Sequence, residues 1–309
     1  MLERFVLPLR DVNDCSCKGN ETDMMKRSIF MFLMGFCTLG AFTQTHSARL
    51  SNAESGTPVA FANIGIINRN IGTVSDTEGW FKIELDSLYS NDTMRISCIG
   101  YFDMQISVRD FKKRTGNNDP VIIELLPKSY NLDEVIVEPG NTRSHTLGYA
   151  CDSNSAYGNA FYSKELGTEM GVVIRLPRKA DEAYLKSFRC YVGDFSFETF
   201  PVGLNIYDLK NGLPDKNILK EPIFFEITST GEYIVDLRKY NITTRDDVFV
   251  SLEYYRVLEK EEGKLVFCAV HEAGRNKGSS FYRWTSQGNW QKEMFDHVGF
   301  SIEVECRRK

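Results

Sequence analysis

Gly72-Thr-Val-Ser-Asp-Thr-Glu-Gly-Trp-Phe-Lys-Ile83 reads as a strand, a tight turn and a second strand. Asp76 brings a side chain that accepts backbone N–H groups, and Gly79 tolerates positive φ, so the chain reverses between them as in a hairpin. Beyond the turn apolar and polar residues alternate from Trp80 to Leu85, the period of a strand with one buried face. Working outward, the same short runs recur at residues 58–66, 93–99, 102–108 and 121–126, separated by Gly, Asn, Asp and Pro, with no helical period between them. Strands this short and this close, within fewer than 80 residues, each bury one face. The economical arrangement is two small sheets packed face to face.

Four segments in order carry a resemblance: Asn52-Ala-Glu-Ser-Gly-Thr-Pro-Val59, Ala62-Asn-Ile-Gly-Ile66, Gly72 to Ile83, and Met94-Arg-Ile-Ser-Cys-Ile-Gly-Tyr101. Together they resemble the carboxypeptidase regulatory-like domain, a transthyretin-like (Ig-like) β-sandwich common in surface and periplasmic proteins of the Bacteroidota. The resemblance spans residues 49–127 and implies a non-catalytic module, since in the peptidases this sandwich accompanies a separate catalytic domain. Asn131-Leu-Asp-Glu-Val-Ile-Val137 is in turn similar to the extended segment that follows such domains in TonB-dependent receptors. The chain that remains is too short for a receptor barrel of about twenty strands.

Residues 128–168 form a Gly-, Ser- and Asn-containing linker, and a second β region runs over 169–307. Its strand runs lie at 170–176, 184–192, 203–207, 231–237, 248–255, 264–270, 280–284 and 299–304. About eight strands suit a larger sandwich, read as jelly-roll-like, and the pattern around Arg189, Asp208, Lys210 and residues 235–240 resembles lectin or galactose-binding-like jelly rolls. The expected fold class is therefore all-β, a small sandwich followed by a larger one.

The most apolar stretch, Ser28 to Ala41, follows Lys26 and Arg27 and is shorter than the ~20 residues that span a bilayer. It reads as a signal peptide over 25–43, with Met25 as the start and residues 1–24 as an upstream extension. Export to the periplasm or cell surface, with no membrane-spanning segment in the mature chain, is the expectation. Residues 1–41 hold five basic and five acidic side chains, so the net charge of −5 survives their removal. With no basic tract to neutralise phosphates, nucleic acid is not an expected partner. Five cysteines then remain, Cys98, Cys151, Cys190, Cys268 and Cys306, without a C-x-x-C pair. They indicate neither a zinc ribbon nor a dense disulfide scaffold, and Cys98 and Cys268 read as small core residues.

Catalytic signatures are missing from the sequence. Neither H-E-x-x-H nor H-x-x-E-H occurs, and Arg275 stands where a second histidine would follow His271-Glu272. There is no G-x-S-x-G elbow, and Gly274-Arg-Asn-Lys-Gly-Ser279 has its lysine before the second glycine, unlike a phosphate loop. No cofactor or metal is expected. Glycoside hydrolysis needs two carboxylates that meet only in the fold, and Asp194, Glu198, Asp236, Asp246, Asp247 and Glu253 are the candidates, with Asp236 and Glu253 able to face solvent from their strands. The aromatic run Phe281, Tyr282, Trp284 and Trp290 is the most suggestive feature for binding. On a strand Tyr282 and Trp284 share one face while Phe281 and Arg283 take the other. Tyr282, Arg283, Trp284 and Trp290 are the candidate ligand-binding residues, for a glycan or an envelope protein. The alternatives are a glycan or peptide hydrolase and a structural spacer without a ligand.

Overall fold

A computed structural model of the chain describes residues 43–116, 121–129, 142–151, 158–162, 166–178, 180–258, 263–271, 280–293 and 296–308. The extension at 1–24, the signal peptide short of residue 43, the segment 131–137 and the loop 272–279 lie outside these residues.

The first part builds β1 (Gln44–Asn52), β2 (Asn63–Ile66), β3 (Gly72–Val74), β4 (Trp80–Leu85), β5 (Thr93–Ser97), β6 (Met104–Ser107), α1 (Val108–Thr115) and β7 (Val121–Leu125). A three-stranded sheet in the order β4-β1-β7 faces a four-stranded one in the order β3-β2-β5-β6. Along β4 exposure alternates strictly, with Phe81, Ile83 and Leu85 buried and Trp80, Lys82 and Glu84 outward. They meet Leu50, Ile64, Ile66, Met94, Ile96 and Ile123 in one core. The Asp76 turn forms as expected: its carboxylate accepts from the N–H groups of Glu78 (2.9 Å) and Trp80 (2.8 Å), and Gly79 has φ +79°. It does not close a hairpin, because β3 pairs with β2 and β4 with β1. The turn instead carries the chain from one sheet to the other.

Residues 102–108, expected as a strand, divide into β6 and the start of α1. Ser107 caps the helix by accepting from the Asp110 N–H (3.1 Å), and Val108 and Phe111, one turn apart, are its buried residues. Two turns of helix are too short to leave a visible helical period.

The second part comprises β8 (Thr142–Gly148), β9 (Gly158–Tyr162), β10 (Glu169–Ile174), β11 (Ala180–Phe195), β12 (Phe200–Lys210), β13 (Leu213–Asn217), β14 (Ile223–Ile227) and β15 (Gly231–Asp236). It continues through β16 (Thr243–Thr244), β17 (Val248–Tyr254), β18 (Lys264–His271), β19 (Ser280–Arg283), β20 (Gln291–Lys292), β21 (Asp296–Val298) and β22 (Phe300–Arg308). A seven-stranded sheet runs β13-β12-β17-β10-β19-β20 with β14 added on β12. An eight-stranded sheet runs β21-β18-β11-β22-β8, with β15 and β16 on β11 and β9 on β18. Val172, Leu204, Val250 and Leu252 of the first sheet and Phe188, Phe267, Phe300 and Ile302 of the second belong to one core. The protein is all-β sandwich in class.

Two features here were not legible in the pattern. β8 and β9 arise within the stretch read as linker, paired to β22 and β18. Cys268, read as a core hydrophobe, is fully buried but forms a disulfide with Cys151, 117 residues away. Its partner sits just after β8, which no spacing rule could reveal.

Candidate functional site

Three central strands of the seven-stranded sheet are buried on both faces. Alternate residues of β17, Val248, Val250, Leu252 and Tyr254, enter the main core. The intervening Phe249, Ser251 and Glu253 point the other way. On that outer face Phe249 joins Val173, Tyr207 and Phe281, with Trp290 laid against Phe249 at 5.0 Å between ring centroids.

This alternation separates the four residues singled out in the sequence. Tyr282 packs on the main core, and its hydroxyl donates to Gln291 Oε1 (2.9 Å). Arg283, on the opposite face, is 7% exposed and lies over the Trp290 ring at 4.8 Å. Trp284 follows the strand end, 43% exposed, with its ring edge-to-face with Tyr282 at 5.3 Å. The structure therefore packs a buried Arg283 against a partly buried Trp290 and leaves Trp284 as the exposed ring.

The candidate carboxylates also separate. Asp236 is exposed and paired with Arg238, Asp194 is paired with Lys264, and Asp247 accepts from the Leu176 N–H. Glu253, which its strand position allowed to face solvent, is instead buried. It lies directly across the ladder from Glu169, which in turn lies across from Arg283. Acid, acid and base thus form a row over three adjacent strands.

Glu169 is fully buried and well supplied with donors. Its Oε2 receives Arg283 Nη2 (2.6 Å) and the Tyr207 hydroxyl (3.3 Å), and its Oε1 receives Asn205 Nδ2 (3.1 Å) and the Ser251 hydroxyl. Burial, then the Glu169 charge, pushes the Tyr207 phenol well above its ordinary range, so it remains a donor. Glu253 Oε2 accepts from Asn205 Nδ2 (2.8 Å) and Asn63 Nδ2 (3.3 Å), while its Oε1 is buried with no hydrogen-bond partner among the described residues. The guanidinium of Arg283 pairs with Glu169 and acts on Glu253 only through its charge. Burial first, and then the facing Glu169, raise the Glu253 pKa to about 7, against the pull of Arg283 and the two amide donors.

Asn63 belongs to β2, so the row reaches the first sandwich. The turn after β19 makes the rest of the junction: Ser286 Oγ donates to Asn63 Oδ1, Gln287 Nε2 to Ser97 Oγ (2.9 Å), and the Asn68 N–H to the Gln287 carbonyl (3.0 Å). Gly65 and Gly72 press on the Ser286 carbonyl oxygen so closely that a Cβ at either position would overlap it. Phe61 completes the contact, 4.8 Å from the Tyr255 ring and 5.3 Å from Phe224. None of this was expected from the sequence. The only signal was that Glu169 and Glu253 interrupt apolar strands on the face opposite the core.

Among the described residues no group of three or more His, Cys, Asp or Glu side chains is placed to hold a metal ion, and no helix is long and apolar enough to cross a membrane.

The small sandwich, with its Asp76 turn and ordered strands, decides the comparison. Residues 49–137 match the CarboxypepD_reg-like domain family. This regulatory-like domain is the part whose kinship is shown, and the sheets beyond it lie outside the match. No curated protein matches the chain. Among solved structures, the cysteine protease and lectin-like domains of Cwp84, a surface layer associated protein of Clostridium difficile, align with a TM-score of 0.34 and 12% identity over 85% of this chain. The chain spans 63% of that protein's length. The infectious bursal disease virus Gx strain aligns with a TM-score of 0.24 and 11% identity, over 86% of this chain and 65% of the viral one.

Proposed function

We propose that this is an exported, non-catalytic protein of the cell envelope that binds a glycan or a protein partner through its second β region. The observation that carries the reading is the placement of the aromatic group: Arg283 is buried against a partly buried Trp290, while Trp284 is displayed on the surface, its carbonyl held by the Thr168 hydroxyl (2.7 Å). A rigid, half-exposed indole is the kind of surface on which a sugar ring or a peptide side chain stacks. Export is supported by the apolar leader-like segment and by the Cys151–Cys268 disulfide, a bond that persists in oxidising compartments. The regulatory-like domain, resembling modules of envelope proteins in the Bacteroidota, fits the same setting.

Glycan arrays and envelope pull-downs with the purified chain test the reading. Capture that falls about tenfold or more in a folded Trp284→Ala variant supports it, and capture of neither glycan nor protein overturns it.

A second reading draws on Glu169 and Glu253. Two carboxyl groups facing each other, one with a raised pKa, are the raw material of glycoside hydrolysis. Both lie under the regulatory-like domain, so a substrate reaches them only if that domain moves. A broad hydrolysis screen that finds turnover, lost in Glu253→Gln, would favour this reading over the first.

A further inference from the structure

We propose that the seat of the regulatory-like domain on the seven-stranded sheet is a proton-dependent latch, closed when the Glu253 carboxyl is protonated and loosened when it is ionised. The proposal goes beyond the binding role, since it concerns how the two parts of the chain are held together.

The geometry comes first. Glu253 stands at the junction with one oxygen shared by Asn205 and Asn63 and the other without a partner. Among the described residues it faces Glu169 on β10, Asn205 and Tyr207 on β12, Ser251 on its own strand, Arg283 on β19, and Asn63 and Cys98 from the regulatory-like domain. The single cation in that set, Arg283, is already bound to Glu169. With both acids ionised the buried cluster carries one net negative charge under a neutral lid, which burial makes unfavourable. With Glu253 protonated the charge is balanced. Cys98 adds no competing charge, since burial and then the Glu253 carboxylate push its thiol up to about 12.

The lid is held through Asn63, Asn68, Ser97 and Phe61. Three of the five non-glycine residues with positive φ among those described, Phe61 (57°), Asn68 (61°) and Gln287 (62°), lie on its contact surfaces. Such conformations persist only while their surroundings enforce them. Opening the seat lets water solvate an ionised Glu253, so ionisation favours the open seat and protonation, at low pH, the closed one.

The sign follows from linkage. The folded pKa of about 7 lies above the ordinary carboxyl value of 4.5, so the closed state holds an extra proton between these limits. Its stabilisation is fully present below the ordinary value, declines as pH rises between the two, and is lost above about 7.

The Asn68 N–H, bonded across the junction to the Gln287 carbonyl, is the direct reporter. Hydrogen exchange of this amide in the full chain, corrected for the intrinsic pH dependence of exchange, is to be followed from pH 5 to pH 8. Its protection is expected to fall by about tenfold or more over this range and to level off above 7. Glu253→Gln, which keeps the shape of the neutral acid, should hold protection high and nearly flat. Asn63→Ala removes a junction contact and a donor that favours the ionised carboxyl, so it should lower protection at pH 5 and move the fall with pH to higher pH, which keeps the test decisive if Glu253→Gln does not fold. Protection in the native chain that stays within about twofold across the range, or a slope that Glu253→Gln leaves unchanged, overturns the latch.

Discussion

Arg283 shows how little a residue's type says about its task. In the sequence it sits between two aromatics and looks like a ligand-facing cation; in the fold it neutralises Glu169 beneath the regulatory-like domain. Removing one partner of a buried pair leaves the other uncompensated. Arg283→Met should therefore destabilise the second sandwich by roughly 3–5 kcal/mol in denaturant titrations. Arg283→Met combined with Glu169→Gln should recover part of that loss, because the acid left behind is then neutral. Trp290→Ala is expected to lower stability more than Trp284→Ala, since Trp290 packs on Phe249 and Tyr207 and covers Arg283. Thermal melts of the two variants check this order.

Single strands and helices carry a second titrating group with the opposite sign. His46, on β1, is buried, lies at a tilt to the Phe111 ring of α1, and places Nδ1 2.7 Å from the Thr115 hydroxyl, while its Nε2 is without a hydrogen-bond partner among the described residues. Burial, then Lys112, holds its pKa below the ordinary 6.5. A depressed pKa contributes stability that is present above the unfolded value and is lost as pH falls through the folded one. The thermal stability advantage of the native chain over His46→Ala should thus shrink between pH 7 and pH 5, the range in which the Glu253 contact tightens. The pairing of β8 with β22 and of β9 with β18 is equally consequential for fragments. A fragment of 142–309 keeps both strands and Cys151, whereas one beginning at 166 loses all three. The longer fragment is expected to melt cooperatively and the shorter one to be markedly less stable.

Across the whole molecule the Cys151–Cys268 bond ties the segment after β8 to the core strand β18. Closing so long a loop restricts the unfolded chain, so Cys151→Ser with Cys268→Ser should cost roughly 2–5 kcal/mol under oxidising conditions and little under reducing ones, by denaturant midpoint. Material recovered from the envelope should carry this disulfide and lack about the first 41 to 48 residues by intact mass. The amino-acid order alone established the all-β class, the regulatory-like domain and its Asp76 turn, and the eight principal strands of the second region. These rest on local causes: period-two alternation, a turn acid and a glycine with positive φ. The outer-face row of Glu169, Glu253 and Arg283, the partner of Cys268 and the docking of Asn63 were settled by the tertiary structure. Each depends on residues dozens to hundreds of positions apart meeting across neighbouring strands, where burial and a shared cation, rather than residue type, determine what a side chain does.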